Sequence, residues 1–161
     1  MRSGRCVAVI GPGTGARTQD LEVARSVGRL LAEADVTVVC GGLGGVMEAV
    51  AAGAADAGGR TIGILPGSER NAANPHVTVA IPTGLGELRN ALVIRAASAV
   101  IAVGGSWGTL IELAMARQAG LPVVSVGGWT LRDSTGLEVP SEAAPSAELA
   151  VGRVLELIRG S

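Results

Sequence analysis

The chain has 161 residues, of which 48% are hydrophobic and 17% charged, and its formal net charge is −1. This length fits one domain, so we expect residues 1–161 to form a single domain with enough apolar material for a core. The sequence has no basic block that would neutralise the phosphates of a nucleic-acid polymer. Its apolar runs are far shorter than the roughly 20 residues that span a membrane. The start of the chain has no apolar stretch typical of a signal peptide, which indicates a cytoplasmic protein.

Side-chain types that are absent or few exclude three kinds of site. All 13 basic side chains are arginine. Without lysine the chain cannot form a Schiff base with pyridoxal phosphate, which excludes a pyridoxal-dependent lysine decarboxylase, and it cannot supply the lysine of a P-loop. Two cysteines, Cys6 and Cys40, and one histidine, His76, are too few for a zinc cluster of cysteine and histidine ligands. We therefore predict no metal site.

Short β-branched runs alternate with helical patterns, an order typical of a parallel sheet covered on both faces. The predicted strands are residues 5–10, 36–40, 61–65, 77–81, 99–103 and 122–126, the last of which closes the sheet. The predicted helices are residues 19–34, a helix from the turn at 41–45 to residue 56, residues 87–98, a helix from the turn at 104–108 to residue 119, and residues 146–159. Residues 66–76 read as a loop long enough to act as a lid, and 127–145 as an irregular connection. We predict an α/β, three-layer Rossmann-like fold.

Three glycine-rich turns follow predicted strands, and ligands of open parallel sheets bind outside the carboxyl ends of the strands. Glycine lets backbone N–H groups approach an anion, and the helix that follows presents its positive end. We therefore predict that a nucleotide or another small phosphorylated ligand binds at this edge. The predicted contacts are Gly11, Gly13 and Thr14 in the first turn, Gly41, Gly42, Gly44 and Gly45 in the second, and Gly104, Gly105, Ser106, Trp107, Gly108 and Thr109 in the third. The alternative is a structural protein in which these glycines serve packing alone.

The first turn argues against an NAD site. Residues 11–16 match the dinucleotide fingerprint only if Ala16 takes the place of its third glycine. That fingerprint also requires an acidic residue at the end of the second strand, where this sequence has Cys40-Gly41-Gly42. An ordinary dehydrogenase is therefore not favoured.

Two carboxylates follow the other glycine-rich turns. Glu112 lies among apolar residues one turn into a predicted helix, and Glu48 repeats the arrangement after the second turn. A carboxylate among apolar neighbours at the carboxyl edge of a sheet is a candidate for catalysis or ligand binding. The pattern Thr109-x-x-Glu112 is also a capping box. Both roles remain open for Glu112.

These motifs together resemble the Lonely Guy superfamily of Rossmann-like proteins over nearly the whole chain. The resemblance rests on the pattern G-G-x-G-G-V-M-E at 41–48, on Arg89, and on G-T-x-x-E at 108–112. The best-known members are phosphoribohydrolases that cleave the N-glycosidic bond of cytokinin nucleotides, and their motif is P-G-G-x-G-T-x-x-E. In this chain Gly104 stands in the place of the proline and Ser106 in the place of the second glycine.

A second departure from that family moves the prediction toward a binding protein. The family's other motif ends in Arg-Lys, whereas this chain has Arg89-Asn90. The Arg-Asn pair, with Thr83-Gly84-Leu85-Gly86 before it and Asn74-Pro75 upstream, resembles a branch of short bacterial proteins that is similar to the molybdenum cofactor carrier proteins. This resemblance implies that Arg89 and Asn90 bind a molybdenum cofactor or nucleotide, that no further cofactor is required, and that the protein is a homodimer or homotetramer. The alternative it implies is hydrolysis of a nucleoside 5′-monophosphate, with Arg89 on phosphate or ribose and Glu112 on the developing charge or the attacking water.

Overall fold

The computed structural model describes residues 5–136, 138 and 142–160, and these form one parallel sheet flanked by helices. The strands are β1 (Cys6–Ile10), β2 (Thr37–Cys40), β3 (Thr61–Leu65), β4 (Val79–Pro82), β5 (Ala99–Val103), β6 (Val123–Val126) and β7 (Glu142–Ala143). The helices are α1 (Thr18–Glu33), α2 (Val46–Asp56), α3 (Asn90–Arg95), α4 (Trp107–Gln118) and α5 (Ala147–Arg159). All strand pairs are parallel, in the order β4-β3-β2-β1-β5-β6-β7.

Helices cover both faces of the sheet, because its buried strands are apolar on both sides. Alternate residues of β1 point to opposite faces. Val7 and Val9 belong to the core that α1, α2 and α5 build, whereas Ala8 and Ile10 belong to the core that α3 and α4 build. The predicted α/β, three-layer Rossmann-like fold is confirmed.

The strand order reverses at the centre of the sheet. From β1 the chain adds β2, β3 and β4 on one side, and it then crosses back to place β5, β6 and β7 on the other. The connections that leave β1 and β5 therefore diverge and open a crevice at the carboxyl ends of these two strands. The fold predicts its ligand site at this position.

Two predicted elements are wrong in detail. The sheet does not close at β6, because Glu142 and Ala143 add a short parallel strand beside Val124 and Ser125. Two residues are too few to show the alternation by which a strand is recognised. The helix predicted at 87–98 begins as a 3-10 turn, Gly86–Arg89, and α3 ends at Arg95.

The loop 66–76 is anchored at its far end. The backbone N–H of Asn74 donates to the carbonyl of Gly42 at 2.9 Å, and its Nδ2 donates to the carbonyl of Leu43, also at 2.9 Å. The middle of the loop forms a 3-10 turn, Arg70–Ala72. The loop is thus held against the second glycine-rich turn, and its role as a lid stays a prediction.

Within the part of the chain that the structure describes, no helix combines the length and the apolar character that crossing a membrane requires.

Candidate functional site

A cavity of about 290 Å³ lies in the crevice between the carboxyl ends of β1 and β5. All three glycine-rich turns contribute to its wall, together with the 3-10 turn that precedes α3 and the first two turns of α4. The predicted site residues that line it are Gly11, Gly13, Gly41, Arg89, Asn90, Ser106, Gly108, Thr109 and Glu112. The three turns therefore converge on one cavity.

Other predicted contacts lie outside the cavity wall: Thr14, Gly42, Gly44, Gly45, Glu48, Gly104, Gly105 and Trp107. Packing explains several of these glycines. A Cβ at Gly104, whose φ is +63°, would lie 2.7 Å from the carboxyl group of Asp20, and one at Gly105 would lie 2.8 Å from Trp129. The packing explanation thus holds for part of the glycine pattern, while other glycines face the cavity.

The cavity also contains side chains that the sequence did not mark as site residues. Among these are Leu43, Met47, Pro66 and Glu87. Met47 belongs to the motif that carries the family resemblance, so that motif was the available signal. Glu87 had none, because its position depends on the 3-10 turn that replaces the start of the predicted helix.

Arg89 is the most unusual side chain of the cavity because it is a charged group that is only 9% exposed. Its Nη1 donates a hydrogen bond to Oδ1 of Asn90, while its Nε is buried with no hydrogen-bond partner. Its Nη2 lies against Gly41, where a Cβ would come within 2.6 Å of it. A desolvated cation with an unpaired donor is costly unless an anion completes it. Arg89 therefore points to an anionic ligand.

The carboxylate of Glu112 faces the same cavity and has no bonding partner among the described residues. It is 8% exposed and forms no hydrogen bond or ion pair with any residue that the structure describes. Burial raises the pKa of Glu112 to about 7, against the opposing effect of the positive charge on Arg89. The carboxyl group is thus able to gain or lose a proton near neutral pH.

The start of α4 differs from the predicted capping box. Ser106, not Thr109, is the N-cap, and its Oγ accepts a hydrogen bond from the backbone N–H of Thr109 at 3.2 Å. The indole Nε1 of Trp129 donates to the carbonyl of Ser106 at 2.9 Å and so holds the turn from the other side. The capping-box interpretation of Glu112 is wrong, because α4 begins one turn earlier than that pattern requires. Its carboxylate is therefore available to the cavity.

The two tryptophans lie beside the cavity. Their ring centroids are 5.1 Å apart and the rings are tilted by 43°. Trp107 is the first residue of α4, is 74% exposed and does not line the cavity. Glu48 is also exposed and lines a separate groove, between α1 and α2, with His76.

A parallel sheet with its strand order reversed at β1 and β5, and a glycine-lined cavity at that reversal, define a Rossmann-like α/β protein. Within that class, the chain belongs to the SLOG cluster4 family, which it matches over residues 4–151. A protein of Archaeoglobus fulgidus described as uncharacterised is 38% identical over 120 residues, which cover 74% of this chain and 78% of that protein.

Among the solved structures that match almost the whole chain are two molybdenum cofactor proteins. The molybdenum cofactor binding protein of the phototrophic bacterium Rippkaea orientalis is 32% identical, with a TM-score of 0.89 over 98% of this chain and 99% of that one. The molybdenum cofactor carrier protein of Chlamydomonas reinhardtii is 30% identical, with a TM-score of 0.86 over 98% and 99% of the two chains. The resemblance to the molybdenum cofactor carriers is confirmed at the level of sequence and fold.

Proposed function

We propose that this protein binds the molybdenum cofactor, a phosphorylated pterin, as cargo in the cavity between β1 and β5. The observation that carries the proposal is Arg89, a buried guanidinium whose Nε has no partner. The full-length likeness to two proteins named for binding or carrying this cofactor supports the choice of ligand. Neither point requires a chemical reaction, so the proposed activity is binding and release.

The residues of the cavity fit such a ligand. The guanidinium of Arg89 fits against the second glycine-rich turn because Gly41 lacks a side chain, and the N-terminal turn of α4 adds the positive end of a helix dipole that favours a phosphate. The side chains of Asn90 and Ser106 supply polar groups for the amide-rich edge of a pterin ring. The cavity volume of about 290 Å³ is at the lower limit for small-molecule sites, so part of a ligand the size of this cofactor extends through the open mouth.

Glu112 makes the binding of this anion depend on pH. An ionised carboxylate in the same cavity would repel a phosphate, whereas the protonated form would not. With a pKa near 7, Glu112 takes up a proton as the anion binds. We propose that this carboxyl group tunes the affinity for cargo.

The test is to look for the ligand itself. Protein purified without oxygen from a host that makes the molybdenum cofactor is analysed by native mass spectrometry, by elemental analysis for molybdenum, and by fluorescence of the oxidised pterin. We expect one phosphorylated pterin per chain, and its loss in Arg89→Met. Wild-type protein that stays without pterin and molybdenum, even after mixing with cofactor released from a denatured molybdoenzyme, contradicts the proposal.

A second function is favoured by the state of Glu112. A buried carboxyl group with a pKa near 7 is suited to proton transfer, and it lies in one cavity with an anion-binding arginine. We propose as the alternative that the protein is a nucleoside 5′-monophosphate phosphoribohydrolase. Arg89 would hold the 5′-phosphate, and Glu112 would stabilise positive charge on the ribose or position the water that attacks C1′.

Release of free base separates the two functions. A panel of nucleoside 5′-monophosphates is incubated with the protein, and the free base and ribose 5-phosphate are separated by chromatography. The hydrolase alternative predicts both products in equal amounts and their loss in Glu112→Gln. The absence of free base from every nucleotide, or activity that survives Glu112→Gln, rules out this alternative and leaves the carrier function standing.

A further inference from the structure

A second cavity, of about 380 Å³, lies beside the turn that follows β5. Its wall is formed by Arg17, Gly105, Gly128 and Trp129. It shares no lining residue with the cavity between β1 and β5, which we call the cargo cavity. Ser106 lines the cargo cavity, whereas its neighbour Gly105 lines the second one. The two cavities are therefore adjacent along a single backbone turn.

Arg17 presents a free hydrogen-bonding edge to the second cavity. Its Nε donates to Oδ2 of Asp20 and its Nη2 donates to Oδ1, each at 2.9 Å. Asp20 is only 5% exposed, so this pair fixes the plane of the guanidinium. The other edge, formed by Nη1 and Nη2, has no partner among the described residues. Such a fork matches the two oxygens of a phosphate or a carboxylate.

The backbone around Arg17 also favours an anion. Arg17 is the N-cap of α1, and no side chain in the described part of the chain caps this helix, so the positive end of its dipole is open. On the opposite wall, Gly105 and Gly128 expose backbone without side chains. The carboxylate of Asp20 offsets the charge of Arg17, but it lies buried, where a Cβ at Gly104 would be 2.7 Å from it. The fork and the helix end are therefore what a ligand meets.

Trp129 gives the second cavity an aromatic wall. Its indole is held on two sides: Nε1 donates to the carbonyl of Ser106 at 2.9 Å, and the ring of Trp107 packs against it with a centroid distance of 5.1 Å. A planar ring stacks on an indole largely regardless of its substituents. A fixed indole beside an arginine fork therefore suits a ligand that joins a planar base to a phosphate.

We propose that the second cavity binds a nucleoside monophosphate group, with its phosphate on the free edge of Arg17 and its base on the indole of Trp129. Two sources can supply this group: a free nucleotide, or a form of the cargo whose own phosphate is joined to a nucleoside monophosphate. A joined ligand would cross the turn between the cavities. The crossing is low, because Gly105 has no side chain and Ser106 has a short one. Only the joined source rests on the carrier function.

Calorimetric titration of the full chain with adenosine, guanosine and cytidine 5′-monophosphates, and with the three nucleosides, tests the site without any cofactor. We expect binding of nucleotides at millimolar concentration and weaker binding of nucleosides. Arg17→Lys keeps a charge beside Asp20 but removes the fork, so nucleotide affinity should fall about tenfold. Arg29→Lys is the matched control, because Arg29 is another exposed arginine of α1 that pairs with a carboxylate, and it should bind as the wild type does.

Two further variants assign the nucleotide to one cavity. Trp129→Leu should lower nucleotide affinity about tenfold through the loss of stacking. Circular dichroism verifies its fold, and Trp129→Phe replaces it if it fails to fold. Arg89→Met should leave nucleotide affinity unchanged. A wild type that binds no nucleotide, or binding that is lost in Arg89→Met and kept in Arg17→Lys, overturns the proposal.

The source of the group is identified with plain cofactor and with cofactor joined to a nucleotide, each released from a denatured molybdoenzyme. If the joined form binds at least tenfold more tightly and Arg17→Lys removes this difference, the cargo supplies the nucleotide. If the two forms bind equally and plain cofactor and nucleotide occupy one chain together, the nucleotide is free. Displacement of plain cofactor by nucleotide overturns the separate site. If neither cofactor binds, the carrier function fails, and the nucleotide titrations still decide the second cavity.

Discussion

The turns that follow β2 and β5 look alike in sequence but have different roles in the structure. Each joins a buried strand to a helix, and each is followed by a glutamate among apolar residues. Glu48 is the third residue of α2 and is exposed in a separate groove. Glu112 is the sixth residue of α4 and is buried in the cavity. The position of a glutamate relative to glycine therefore does not determine its place in the site.

The difference follows from the side of the sheet that each helix covers. α2 lies on the same face of the sheet as α1 and α5 and packs with α1, whereas α4 packs with α3 on the other face. The cavity opens toward α3 and α4, so that α4 presents two turns of side chains to it and α2 presents only its first turn, with Met47. The β5 turn and α4 thus supply Ser106, Thr109 and Glu112 to the site, and the β2 turn supplies the space into which Arg89 fits. Variants of matched residues test this difference between the β2 turn with α2 and the β5 turn with α4.

The largest effect is expected from Arg89→Met, which removes the buried cation that lines the cavity. Affinity for the molybdenum cofactor should fall about a hundredfold or more, as expected when one partner of a desolvated charge pair is truncated. Arg25→Met, in the groove that Glu48 lines, is the control and should bind as the wild type does. Equilibrium dialysis with quantified molybdenum measures both. Equal affinity of Arg89→Met and the wild type would show that Arg89 does not bind the ligand.

The next effect concerns stability and separates the two glutamates. The folded pKa of Glu112, about 7, exceeds its unfolded value, so the folded state holds this proton more tightly. The resulting stabilisation is complete below the unfolded pKa of about 4.5 and is lost as the pH rises through 7. The loss is on the order of 3 kcal/mol.

Urea denaturation at pH 5 and pH 8 measures this loss. Glu112→Gln should be more stable than the wild type at pH 8 and should show a smaller difference between the two pH values. Glu48→Gln should follow the wild type at both, since Glu48 is exposed. If the free energy of unfolding changes equally between pH 5 and pH 8 in the wild type and in Glu112→Gln, the raised pKa of Glu112 is contradicted.

How far the sequence predicts this molecule differs between the sheet and the site. The buried strands and the reversal at β1 and β5 follow from short β-branched runs that alternate with helices, and the structure confirms them. β7 could not be predicted, because its two residues pair through their backbones and carry no pattern of their own. The resemblance to a known family pointed to Arg89, and its burial and unpaired Nε depend on three-dimensional contacts.

The N-cap of α4 shows why motif spacing alone gave a wrong prediction of the capping box. Thr109-x-x-Glu112 satisfies the capping-box pattern, yet Ser106 lies three residues before Thr109 and caps the helix first. Trp129, far along the chain, fixes Ser106 by its indole hydrogen bond. A local pattern cannot include a contact over 23 residues of separation. The sequence therefore predicted a functional role for Glu112 but could not show that its carboxylate takes no part in capping α4.

A smaller effect is expected from glycines of the β2 turn. A Cβ at Gly41 would lie 2.6 Å from Nη2 of Arg89, whereas the nearest atom to a Cβ at Gly44 is 3.9 Å away. Gly41→Ala should displace the guanidinium and weaken cofactor binding about tenfold, which corresponds to about 1.4 kcal/mol. Gly44→Ala should bind as the wild type does. If both variants bind equally well, the β2 turn does not provide the space for Arg89.

The smallest effect is the pH dependence of affinity, and it isolates the contribution of α4. Because an anion beside Glu112 favours its protonated form, wild-type affinity should fall several-fold between pH 6 and pH 8. The phosphate of the ligand also titrates near pH 6, which would strengthen binding with rising pH in every variant. Glu112→Gln retains only the trend that the ligand phosphate causes. The ratio of wild-type affinity to Glu112→Gln affinity at each pH therefore isolates the effect of the Glu112 carboxyl group. A ratio that stays constant from pH 6 to pH 8 would show that Glu112 does not share the cavity with a bound anion. In that case Arg89 and the turns would hold the ligand without help from the carboxyl group on α4.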